Sequence, residues 1–83
     1  AKLIKIDSNG NLVWNKNIVE LINSIHGFDI NSIRVMNDGN IIVGTTDAEL
    51  IKVDSNGNLV WNKNIVKLIN SISGFEINTI SSN

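Results

Sequence analysis

The chain has 83 residues, of which 42% are hydrophobic and 18% are charged, and its net charge is −1. These proportions are typical of a small globular domain and exclude a disordered chain. Neither sign of charge clusters, which excludes the electrostatic footprint of a nucleic-acid or anionic-membrane binder. No apolar run approaches the ~20 residues of a membrane span, and the lack of cysteine excludes a disulfide framework and thiolate metal sites.

The first predicted element is a β-hairpin. Residues 2–7 alternate between apolar and polar, which places Ile4 and Ile6 on one face of a strand. The turn "SNG" follows, where Gly10 can supply the positive φ that a tight turn requires. Residues 11–16 alternate again, so we expect them to pair back on the first strand.

Residues 17–27 are the least regular part of the chain. The apolar residues at helical spacing are Ile18, Leu21, Ile22 and Ile25, and Gly27 stands where a C-terminal cap would lie. The β-branched residues of this stretch oppose a helix. The pattern therefore leaves two alternatives open, a short helix and an irregular apolar connection.

A second hairpin is predicted from residues 30–36 and 40–46. Its turn, "NDGN", contains Asp38 and Gly39, and "DG" before an alternating strand is a strong hairpin signal. This stretch lacks the glycine pattern and the lysine of a phosphate-binding loop. We therefore interpret it as a turn and not as a nucleotide site.

The third hairpin, residues 49–54 with 58–63, restates the first one. Residues 1–36 align with 48–83 at an offset of 47, and nine of the 36 positions differ, which leaves 27 identical. Residues 37–47 occur only once, so the chain holds about 1.75 repeats of 47 residues. We call residues 1–36 the first segment and residues 48–83 the second segment.

A period of ~40–50 residues indicates a propeller, a solenoid or another array. Four short antiparallel strands in each full repeat are typical of a propeller blade. We therefore predict one all-β domain over residues 1–83, with a short helical insert as an option. Its units are four-stranded antiparallel propeller-blade repeats of 47 residues, and a β-solenoid or a fibre-like stacked sheet is the structural alternative.

In "DSNGNLVW", with "DGNIIVGT" upstream, the chain resembles the repeats of pyrroloquinoline-quinone-type β-propellers. The likeness is to non-enzymatic blades that read D-x-x-G-x-x-x-W. It covers residues 30–63, with 1–16 and 77–83 as partial blades. The resemblance implies that Trp14 and Trp61 dock between neighbouring blades. The turn residues that it implies are Asp7, Gly10, Asp54 and Gly57.

The resemblance also bears on cofactors and location. The quinone-binding enzymes carry a Thr and a basic position in this turn, whereas Asn11 and Asn58 follow the glycine directly here. We therefore expect no cofactor. For a natural chain the resemblance implies an extracellular or cell-surface location, which the composition alone leaves open.

The four aromatic residues recur at the 47-residue offset. This recurrence fits packing between blades, because aromatic side chains dominate core and interface energetics. The alternative is a platform for carbohydrate binding. The four residues are Trp14, Phe28, Trp61 and Phe75.

No metal or catalytic site is predicted. "DSNGN" offers oxygen ligands, but a calcium loop of the EF-hand kind has its glycine sixth and a glutamate six residues later. Here the glycine is fourth, which is ordinary turn chemistry. His26 is the only histidine, its counterpart is Ser73, and neither segment supplies an acid–base partner. We therefore do not expect an enzyme.

Fewer than two blades leave an apolar sheet face and a strand edge uncovered at each end. We therefore expect a structural, self-assembling module that forms a ring or filament through strand pairing and blade packing. The near-identical segments favour recent amplification, deliberate design or a propeller fragment. The lack of an initiator Met agrees with a processed chain, a fragment or an engineered chain. The alternative function is a propeller module that binds a glycan or a protein.

Overall fold

The computed structural model describes residues 1–69 and 79–80. Within them the chain is mostly β, with two helices of a single turn each. The elements in chain order are β1 (Lys2–Ile6), β2 (Leu12–Asn17), α1 (Ile18–Leu21), β3 (Ile30–Val35), β4 (Ile41–Thr45), β5 (Glu49–Val53), β6 (Leu59–Asn64) and α2 (Ile65–Leu68).

The strands form two antiparallel sheets. One sheet contains β1 and β2, and the other contains β3, β4, β5 and β6 in chain order. Each strand of the three predicted hairpins is present, and no boundary differs by more than one residue. The partial blade predicted over 77–83 lies, apart from 79–80, outside the described residues. The three hairpins are therefore confirmed, because alternation and turn residues are local signals that the chain carries in each strand pair.

The connection after β2 contains a helix, but the helix is shorter than the predicted span and does not end at Gly27. Asn17 caps α1 by accepting a hydrogen bond from the Glu20 backbone at 3.3 Å. Asn23 has a φ of 55°, and the Ser24 N–H donates to the Val19 carbonyl at 2.9 Å. The left-handed Asn23 and the hydrogen bond that spans five residues from Ser24 to Val19 end the helix. The prediction that Gly27 caps the helix was therefore wrong.

The core lies on one face of the four-stranded sheet. The sheet contributes two cross-strand pairs to this core, Val43 with Ile51 and Ile41 with Val53. The rest of the cluster comes from the first segment and contains Leu3, Ile18 and Phe28. Full burial of such aliphatic side chains contributes about 1.5–3 kcal/mol each, so this cluster joins the first hairpin to the four-stranded sheet.

Candidate docking surfaces

The turn that begins at Asp7 is closed by its own backbone and carboxylate. The Gly10 N–H donates to the Asp7 carbonyl at 3.0 Å, and Gly10 has a φ of 83°. One carboxylate oxygen of Asp7 accepts the backbone N–H groups of Asn9 at 2.9 Å and Asn11 at 2.8 Å. This is turn chemistry in which the aspartate holds the backbone.

The same turn is built at Asp54. Its carboxylate accepts the backbone N–H groups of Asn56 and Asn58, each at 2.9 Å, and Gly57 has the same φ of 83°. The hydrogen bond from Asn58 is the main reason that the pKa of Asp54 lies below its ordinary value, while desolvation acts in the opposite direction. The pKa of Asp7 is lowered in the same way, chiefly by Asn11. Both carboxylates therefore serve the turn when ionised.

The turn between β3 and β4 has the same backbone bond and glycine conformation, but its aspartate directly precedes the glycine and does not begin the turn. The Gly39 N–H donates to the Met36 carbonyl at 3.0 Å, and Gly39 has a φ of 85°. The Asp38 carboxylate accepts the backbone of Asn40 at 2.9 Å and its side-chain amide at 3.2 Å. Glycine is needed in all three turns because left-handed backbone is costly for other residues.

Trp14 joins the two sheets at the turn between β5 and β6. Its indole Nε1 donates to the Ser55 carbonyl at 3.0 Å, and the Lys5 Nζ donates to the same carbonyl at 2.9 Å. A β-carbon on Gly57 would lie 3.0 Å from Trp14 Cδ2 and 3.0 Å from Lys16 Cε. The indole therefore fills the space that the absent side chain of Gly57 leaves open.

The local backbone of the first segment recurs in the second. Asn17 and Asn64 cap their helices with φ of −85° and −88°, each by accepting a backbone N–H three residues on. Ile18 and Ile65 each donate to an alanine carbonyl, at 2.9 and 2.8 Å. Equivalent residues of the two segments can therefore be compared directly, because their local conformations agree.

Equivalent residues of β1 and β5 differ sharply in burial. Ile51 and Val53 are fully buried, at 0% exposure. Their counterparts Ile4 and Ile6 are 52% and 58% exposed. The first hairpin and α1 cover the four-stranded sheet, but nothing in the described part of the chain covers β1 in the same way.

The turns at Gly10 and Gly57 also differ in burial, and again the turn of the second segment is the covered one. Gly57 is buried under Trp14, whereas Gly10 is exposed, and beyond its two chain neighbours no described residue would lie within 4 Å of a β-carbon on it. The first segment thus presents uncovered sites whose equivalents are covered in the second segment. We call this set the head surface, and it consists of Ile4, Ile6 and Gly10.

A second, different surface is open at the other segment. Leu3 and Ile18 are buried, at 6% and 0% exposure, whereas their counterparts Leu50 and Ile65 are only half-buried. The last two residues of the 1–69 range, a leucine and an isoleucine, are 63% and 61% exposed, although their first-segment counterparts are half-buried. Trp61 is half-buried like Trp14, but only Trp14 packs against the core cluster. We call the tail surface the set of Leu50, Trp61, Ile65, Leu68 and Ile69.

A groove of about 390 Å³ runs beside β1. Ile4 and Ile6 lie along one side of it, and Ile33 and Val35 of β3 lie along the other. All four side chains are more than half exposed. Such a contiguous apolar depression on a small chain is typical of a surface that another molecule covers.

The structure places the remaining predicted residues as follows. Phe28 is buried in the core at 8% exposure, whereas Phe75 lies outside the described residues. His26 is exposed, and its backbone exchanges hydrogen bonds with the Ser24 hydroxyl. Within residues 1–69 and 79–80, no cluster of three or more His, Asp or Glu side chains could hold a metal ion.

Sequence reasoning missed Thr45. Its side chain is fully buried, and its hydroxyl oxygen accepts the backbone N–H groups of Asp47 at 3.2 Å and Glu49 at 3.1 Å. These bonds hold the turn between β4 and β5, in which Ala48 has a φ of 57°. The pair "TT" before an aspartate was the available signal, because threonine hydroxyls commonly close such turns.

Comparison with family models, curated proteins and solved structures found no match for this chain. Neither helix in the described ranges has the length and apolar character needed to cross a membrane.

Proposed function

We propose that this chain is a structural module built as propeller-blade repeats, whose function is association with further copies of itself. The difference in burial between equivalent residues carries this proposal. Ile51 and Val53 are fully buried, while Ile4 and Ile6, at the equivalent positions, are more than half exposed. The same local structure thus exists with and without its cover, and another copy of the chain offers that cover.

The proposed contact is heterologous. The head surface belongs to the first segment and the tail surface to the second, so the two interacting surfaces are different. A heterologous contact makes a ring when its rotation closes and a filament when it does not. Each copy would use its tail surface on one neighbour and its head surface on the other.

Strand pairing supports the same proposal. In the four-stranded sheet, β5 is hydrogen-bonded on one side to β4 and on the other to β6. β1, its equivalent, pairs only with β2 in the described range. A free edge with exposed isoleucines is a ready template for pairing with another chain.

The test is the mass of the native particle, measured by size-exclusion chromatography with light scattering at micromolar concentration. We expect a multiple of the 9.1 kDa chain. The double variant Ile4→Thr, Ile6→Thr keeps β-branched residues in β1 but removes apolar head surface. Its particle should shrink towards a single chain.

Ile25→Thr is the matched control, because Ile25 is 90% exposed and lies outside both surfaces. This variant should keep the wild-type mass. A wild-type particle of 9.1 kDa at these concentrations, or equal masses for the double variant and wild type, would contradict the proposal.

A further inference from the structure

We infer that Trp61 of one copy docks on the Ser8–Gly10 turn of the next copy, as Trp14 docks on Ser55 and Gly57 within the chain. This inference rests on the proposed function and specifies the contact that joins head and tail surfaces.

The receiving site is already formed in the single chain. The turn at Asp7 has the same carboxylate bonds and the same glycine φ of 83° as the turn at Asp54. What differs is the occupant. An indole fills the space at Gly57, whereas a β-carbon on Gly10 would meet no described residue beyond its two chain neighbours within 4 Å.

The inserting group is also formed. Trp14 lies opposite Lys5 in the first hairpin, and Trp61 lies opposite Lys52 in the third, in the same register. Trp14 packs against the core cluster and Trp61 is not among the residues that do. Among the described residues, the second segment therefore carries the same indole on the same strand pair without the hydrogen bond to a turn carbonyl that Trp14 makes.

The contacts expected between copies follow from the offset of 47. Trp61 Nε1 donates to the Ser8 carbonyl of the next copy, and Lys52 Nζ donates to the same oxygen. The Lys63 stem lies beside Gly10, as Lys16 lies beside Gly57. Three side chains fill the Gly57 site, and in this sequence they recur as a set only in the second segment, so the matching occupant is a second copy of this chain.

Thiol cross-linking tests the contact. The chain has no cysteine, so the two introduced thiols of each variant are the only ones that can react. The test variant carries Ser8→Cys and Lys63→Cys, which leave the Ser8 carbonyl and the Trp61 indole in place. The control carries Ser55→Cys and Lys16→Cys at the equivalent intrachain contact. A short bis-maleimide should give a ladder of multimers for the test variant and a single-chain product for the control, on a denaturing gel.

The native mass of each sample is measured by light scattering before the linker is added. A multimeric native particle whose test variant yields only single-chain product overturns this contact, while self-association itself stands. A native mass of one chain in wild type overturns both. The control guards against a failure of the chemistry, because its contact is present in the single chain.

Discussion

The indole of Trp14 lies so close to Gly57 that a β-carbon on the glycine would be 3.0 Å from its Cδ2. Gly57 also has a φ of 83°, which other residues adopt at a cost. Two separate constraints therefore meet at one position, one from the backbone of the turn and one from the opposite sheet. Substitutions can separate them.

Gly57→Ala should be more destabilising than Gly39→Ala. Both glycines have a φ near 84°, at 83° and 85°, so both variants incur the backbone cost of roughly 1–2 kcal/mol. Around Gly39 the nearest atom to a β-carbon is Ser55 Cβ at 3.9 Å, which is ordinary contact. In Gly57→Ala, overpacking against Trp14 should lower the free energy of unfolding by roughly a further 1–3 kcal/mol. Urea denaturation measures the difference, and equal losses would contradict the close packing.

Acid should weaken the turns that Asp7 and Asp54 hold. The pKa of Asp54 is lowered below its ordinary value of 3.8, first by the hydrogen bond from Asn58. A carboxyl whose folded pKa is depressed stabilises the fold fully above its unfolded pKa, and this contribution is lost as the pH falls through the folded pKa. Stability should therefore decline below about pH 4.

Asp54→Asn keeps an oxygen acceptor in the turn but does not titrate. Its free energy of unfolding should depend less on pH than that of wild type below about pH 4. Thermal unfolding at a series of pH values measures both curves. Parallel curves for variant and wild type would show that the ionised carboxylate does not support the turn.

Thr45→Val should be destabilising although it keeps the shape of the side chain. The substitution leaves the backbone N–H groups of Asp47 and Glu49 without the oxygen that they now share. A fully buried unsatisfied donor costs about 1–3 kcal/mol, and because Asp47 is exposed and Glu49 is half-buried the loss should be at or below the lower end of that range. Thr45→Ser is the control, since it retains the oxygen, and its loss of stability should be the smaller one in chemical denaturation.

The two tryptophans should report different environments. In Trp14→Phe the emission comes from Trp61 alone, and it should shift to longer wavelength on dilution, with the same midpoint as the fall in particle mass. In Trp61→Phe the emission comes from Trp14, whose indole hydrogen bond is within the chain, and its shift with concentration should be the smaller one. Loss of one hydrogen bond, about 0.5–1.5 kcal/mol, should also raise the dissociation concentration of Trp61→Phe several-fold. A constant Trp61 emission across the dissociation would place that indole outside the interface.

The hairpins could be read from the chain because their signals are local. Ile4 and Ile6 alternate with polar residues, and the turn glycines supply φ values that few other residues adopt. The end of α1 was not readable in this way. Asn23 adopts a left-handed conformation there while Gly27 does not cap the helix, and Asn tolerates that conformation less regularly than glycine.

The sequence by itself determined the six strands, their antiparallel pairing and the duplication of one hairpin. It could not determine which member of a duplicated pair is covered. Ile4 and Ile51 have the same side chain and the same position in their strands, and a lysine follows each of them. Ile4 is nevertheless 52% exposed, whereas Ile51 is fully buried. Burial is decided by which surface another element reaches, and that is a property of the packed chain and not of the residue.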